Sequence, residues 1–132
     1  MMAKQNWLDL LGWNVETLNN IRFVGTAYAK QGKFDVALDF FKMLVLLNRK
    51  EIFDLQMLGA IYLQMGKGLE ALEYLDRALK IDPNHYPTIL NRAKALFSIG
   101  YKKQALLQAK VLERCPNKKI ASQAEALIQS HS

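Results

Sequence analysis

Few residues of this 132-residue chain are suited to covalent or metal chemistry, and their spacing speaks against it. His85 lies at a junction between apolar-periodic segments and His131 close to the last residue, neither at metal-ligand spacing to Asp, Glu or Cys. Cys115 stands just before Pro116, where it reads as a small packing residue at a helix end and not as a nucleophile. Gly66-Lys67 looks like part of a phosphate loop, but Gly68 occupies the place of the Ser or Thr, and the preceding glycine is too distant. It reads as an interhelical turn. The expectation is a chain that is not an enzyme and has no cofactor or metal site, so any function must come from surfaces.

Those surfaces are set by a period. Gly32, Gly66 and Gly100 recur every 34 residues, as do Ala37, Ala71 and Ala105, with Gly25/Gly59 and Tyr28/Tyr62 in the same register. Such a period marks a solenoid, whose units bury their apolar faces only against one another. Each unit reads as two amphipathic helices. Ile21, Val24, Gly25 and Tyr28 form one stripe, Gln31-Gly32-Lys33 stops the helix, and Phe34, Ala37, Leu38, Phe41 and Leu44 form the next. Leu55, Leu58, Gly59 and Tyr62 repeat the pattern, followed by Ala71, Leu72, Leu75, Ala78 and Leu79. Asp82-Pro83-Asn84 ends that unit, and the third runs through Ile89, Ala93 and Leu96 to Ala105, Leu106, Ala109 and Leu112.

The predicted architecture is all-α: an N-terminal helix or arm at 1–17, repeats at 18–51, 52–85 and 86–119, and a capping helix at 120–132. Ile120, Ala124, Leu127 and Ile128 give the cap its apolar face. At the other end, Trp7, Leu10, Leu11 and Trp13 either fold over the first repeat or make an oligomer contact, homodimeric or heterodimeric.

Composition narrows the setting. No apolar run approaches the ~20 residues of a membrane span. Asp9 interrupts the early apolar stretch and no small-x-small site follows, so no signal peptide is read. The single cysteine cannot close an internal disulfide, which suits a cytoplasmic protein. The net charge of +6 is confined to the last third: residues 1–85 hold ten basic and ten acidic residues, and 86–132 hold eight and two. An acidic partner or a merely solvated face would each explain that excess. Interleaved aromatics of the kind that bind nucleic acid are missing, so no nucleic-acid partner is expected.

The repeated residues resemble the tetratricopeptide repeat (TPR) over residues 18–119. Gly25, Tyr28, Ala37 and Phe41, then Gly59, Tyr62, Ala71, Ala78 and Pro83, meet the family's positions. The third unit follows with Ala93, Leu96, Ala105 and Ala109, its proline one residue early at Pro116, and Ile21, Leu55 and Ile89 replace the opening tryptophan. The resemblance implies that the first helix of each pair lines a concave groove. Its positions hold Asn19, Arg22, Phe23, Thr26, Ala29 and Lys30 in the first unit and Phe53, Gln56, Met57, Ala60, Leu63 and Gln64 in the second. In the third they hold Pro87, Leu90, Asn91, Lys94, Phe97 and Ser98. Where some members grip a C-terminal carboxylate, this chain has Arg22, Thr26, Met57, Pro87 and Asn91, too few basic groups for that clamp. The implied groove is apolar: Phe23, Phe53, Met57, Leu63, Leu90 and Phe97, edged by Arg22, Gln56, Asn91 and Lys94.

The strings Gly32–Phe41, Leu58–Gly66 and Ala93–Gly100 are also similar to the small three-repeat chaperones of bacterial type III secretion, which hold hydrophobic translocators before export. Chaperones for needle subunits are a close variant, and the basic last third departs from the acidic character of such proteins. This resemblance implies a cytoplasmic chaperone holding an extended or helical apolar segment of a protein client. The alternative is an adaptor or structural subunit that scaffolds a complex.

Overall fold

The glycines that set the period end helices. In the computed structural model, which describes residues 12–131, Gly32, Gly66 and Gly100 have φ of 78°, 75° and 90°, the left-handed region open to glycine. At each turn the next residue's N–H reaches back over the glycine. Lys33 donates to the Tyr28 carbonyl, Lys67 to Tyr62 and Tyr101 to Leu96, all at 2.9 Å. The glycine N–H groups donate to Ala29, Leu63 and Phe97. This paired pattern satisfies the last carbonyls of a helix and reverses the chain.

Seven helices lie among the described residues: α1 (Val15–Lys30), α2 (Phe34–Leu47), α3 (Ile52–Gln64), α4 (Gly68–Ile81), α5 (Tyr86–Ser98), α6 (Lys102–Leu112) and α7 (Lys118–Ser130). They pack as pairs α1/α2, α3/α4 and α5/α6, each pair against the next, with α7 against α5 and α6. The first helix begins at Val15, where the Asn14 side chain accepts from the Thr17 N–H at 3.0 Å. Asn117 caps α7 in the same way, accepting from the Ile120 N–H at 3.1 Å.

The predicted stripes form the interior. Ala37, Leu38, Phe41 and Leu44 of α2, Leu55, Leu58, Gly59 and Tyr62 of α3, and Ala71, Leu75 and Ala78 of α4 are all buried. Val24 is the exception: it was expected in the first stripe but is exposed, while Leu18 and Gly25 are the buried residues of α1. An aromatic stack ties the helices of the first two pairs, Tyr28 on Phe40 at 5.8 Å and Tyr62 on Tyr74 at 5.7 Å. The third pair has Leu96 and Gln108 at the matching places, which makes it the most weakly patterned unit. A separate cluster serves it, in which Leu90 and Leu112 pack with Ile120 and Ala124 of α7. Trp13 packs against the main core, whereas Trp7, Leu10 and Leu11 lie outside the described residues.

Candidate peptide groove

The first helices stand close to one another, α3 against α5 and α5 against α7, and no contact of that extent joins α2, α4 and α6. The array therefore curves with α3, α5 and α7 towards one side, the inner one, and the Arg22–Asp54 ion pair ties α1 to α3. Every residue of the expected groove sits on one of these helices.

On the inner side Phe23 is 77% exposed and Phe53 is 43% exposed, large for aromatic side chains on a folded surface. Phe53 lies in the first turn of α3, its ring 6.2 Å from buried Phe41 and tilted by 56°, which fixes its direction. Gln56, Met57, Asn91, Lys94 and Phe97 are half-buried. Met57 and Leu63 pack against the main core.

Two groove residues are placed differently from the expectation. Leu90 is 4% exposed, because the cap residues Ile120 and Ala124 cover it together with Leu112. Its side chain is internal packing between α5, α6 and α7. Arg22 does not offer a free cation. Its Nε and Nη2 donate to Asp54 Oδ1 and Oδ2 at 2.7 and 2.8 Å, and its Nη1 donates to Asn19 at 2.9 Å. The Arg22 side chain is 16% exposed and that of Asp54 is fully buried. Burial pushes the Asp54 carboxyl above its ordinary value while the Arg22 guanidinium pulls it back, and the bond to Asp54 raises Arg22. The pair joins α1 to α3, and each partner neutralises the other.

Sequence reasoning passed over Asp54. A signal was present: a lone carboxylate in the apolar string Ile52-Phe53-Asp54-Leu55 is where a buried acid needs a cation. The partner was hidden because a repeat register compares equal positions, and this bridge joins unequal ones.

The far end of the groove is closed by the cap. The His131 ring stacks on Phe97 at 3.9 Å and 17°, with His131 Nδ1 3.1 Å from the Leu127 carbonyl. His85 Nδ1 is hydrogen-bonded to buried Thr88 at 2.7 Å at the start of α5, and Cys115 Sγ donates to the Asn117 carbonyl at 3.4 Å. Each is thus engaged in a helix end. A cavity of about 540 Å³ lies among α2, α3 and α4, lined by Lys42, Val45, Leu46, Arg49, Leu58, Tyr74 and Arg77.

Residues 55–85 match the family model of the tetratricopeptide repeat. No curated protein sequence gives a significant match. Among solved structures, the chain is similar to the type III secretion translocator chaperone SycD of Yersinia enterocolitica, with a TM-score of 0.84, 17% identity, and coverage of 97% of this chain and 99% of that one. It is similar to PcrH, a protein of Pseudomonas aeruginosa, in complex with the chaperone binding region of PopD (TM-score 0.79, 20% identity, 90% and 93% covered). The TPR domain of Arabidopsis OM64 is similar as well (TM-score 0.77, 23% identity, 89% and 98% covered). The described chain has the three-repeat TPR fold with a C-terminal capping helix. Among the described residues no helix is long and apolar enough to cross a membrane.

Proposed function

We propose that this chain is a non-enzymatic, cytoplasmic protein-binding module, a chaperone of type III secretion that holds an apolar segment of an export client on its inner face. The observation that carries the reading is the pair of exposed rings, Phe23 and Phe53, on the first helices of adjacent repeats, each next in sequence to a member of the internally neutralised Arg22–Asp54 pair. Gln56, Met57, Asn91, Lys94 and Phe97 would complete the lining, with Leu63 behind it. The similarity to SycD, also solved in complex with a peptide of the translocator YopD, supports this occupant over a scaffold role. Burying ~400 Å² of apolar surface there would contribute roughly 10 kcal/mol gross. Association costs of about 4–15 kcal/mol leave a modest affinity, as release of a client requires.

The test is co-expression with translocator-type clients from the same genome. Phe23→Glu combined with Phe53→Glu alters two exposed side chains, so the helical circular-dichroism spectrum should be unchanged. Co-purification of the client should be lost. A client retained at the wild-type ratio would refute the groove.

A further inference from the structure

Part of the excess positive charge lies on α6 and the turn after it, away from the residues of the expected groove. Among the described residues the ion pairs are Arg22–Asp54 and Arg92–Asp76. Lys102, Lys103, Lys110, Arg114, Lys118 and Lys119 are exposed and take part in neither. Within residues 86–132 the acids are Glu113 and Glu125, both exposed and likewise in neither pair.

On α6 these charges fall in register with apolar groups. Ala105, Ala109 and Leu112 are buried, which turns the opposite face of the helix to solvent. That face carries Leu107 and Val111, 62% and 69% exposed. Lys103 and Lys110 follow at i and i+7 along one edge of this aliphatic pair, about 10 Å apart at 1.5 Å per residue, and Arg114 stands in the turn just beyond the end of α6. On the other side of Leu107 and Val111 is a groove of about 350 Å³ between α5 and α6, lined also by Ile89, Arg92, Gln104 and Gln108. Its rim is fixed, because Arg92 donates to Asp76 at 2.6 Å and to Gln108 at 3.2 Å.

We propose that this exposed face of α5 and α6 docks an acidic amphipathic helix of a partner protein. An aliphatic stripe would enter the groove over Leu107 and Val111, and carboxylates along its edge would meet Lys103, Lys110 and Arg114. Charge complementarity selects an acidic partner, and the aliphatic seat beside these cations selects a folded helix over a polyanion. Base stacking needs rings, and the groove lining has none. The footprint is about three helical turns, so the contact is weak and salt-sensitive. The inference is independent of what the inner groove holds.

The test uses the full chain and a fluorescein-labelled helical peptide of about three turns, with a leucine stripe edged by glutamates. A second peptide has the same composition with its glutamates scattered round the helix. Oligothymidylate and phosphatidylserine-containing vesicles are the other probes. The edged peptide should bind, more weakly as salt rises, and the scattered peptide should bind clearly less well. Lys103→Gln with Lys110→Gln and Arg114→Gln should weaken binding roughly tenfold, as expected for three solvent-edge ion pairs. Leu107→Ser with Val111→Ser should weaken it comparably, whereas Phe23→Glu with Phe53→Glu should leave it unchanged. All these side chains are exposed, and unfolding midpoints check that the fold persists. Equal binding of the two peptides, tighter binding of oligothymidylate or vesicles, or indifference to the Leu107/Val111 change would overturn the proposal.

Discussion

Asp54 is the residue on which the inner face depends most. A fully buried carboxylate is tolerable because two guanidinium N–H groups of Arg22 reach it at 2.7 and 2.8 Å. Removing one member of such a pair costs about 3–5 kcal/mol, while replacing both by apolar groups of similar volume is often nearly neutral. Arg22→Ala should therefore lower stability in urea by roughly that amount, and Arg22→Met with Asp54→Leu should recover most of it. An additive double variant would show that the two residues are not energetically coupled. The pH dependence follows from the direction of the shift. Without Arg22, nothing opposes the desolvation that raises the Asp54 carboxyl. The folded protein then binds this proton more readily than the unfolded chain, so the penalty is fully present above the raised folded value. It fades as pH falls towards the unfolded value of about 3.9. The deficit of Arg22→Ala should thus be larger at neutral pH than near pH ~4.5.

Among the helices, α3 and α4 approach closely at Gly59. A Cβ placed on Gly59 would run into Cγ and Cδ2 of Leu75, a side chain with no exposure of its own. Alanine is the better helix former by ~1 kcal/mol, yet overpacking a fixed core costs about 1–3 kcal/mol. Gly59→Ala should be net destabilising in chemical denaturation. Gly25→Ala should be milder, since its nearest neighbours stand at 3.0 and 3.2 Å. An increase in stability for Gly59→Ala would contradict the packing described. This glycine was legible in the sequence as a repeat position because it recurs one period after Gly25. The same register made the turns, the pairing of helices and the cap legible. Features between unequal positions were not: the Arg22–Asp54 bridge, and the burial of Leu90, which depends on a helix that follows the last repeat. Gly68 escaped for the same reason. It was met as a failed phosphate-loop residue, but it is buried where α4 meets Ser98 and Ile99 at the end of α5.

Across the whole molecule, apolar burial is divided in two. The main cluster spans α1 to α4 and takes Ala95 from α5. The smaller one holds Leu90, Leu112, Ile120 and Ala124 and is completed by α7. Deleting residues 118–132 would uncover Leu90 and Leu112. The expected outcome is a lower unfolding midpoint with increased binding of a hydrophobic dye, read by fluorescence. Between the two clusters runs a seam where Gly68 of α4 meets Ala95, Ser98 and Ile99 at the end of α5. Its consequence is a chain that need not come apart all at once. The last three helices, α5 to α7, can open as a cooperative unit of their own while the first four keep their protection. Native-state hydrogen exchange should then give a smaller opening free energy for amides of α6 and α7 than for those of α3 and α4. The end that carries the surplus charge would be the end that breathes.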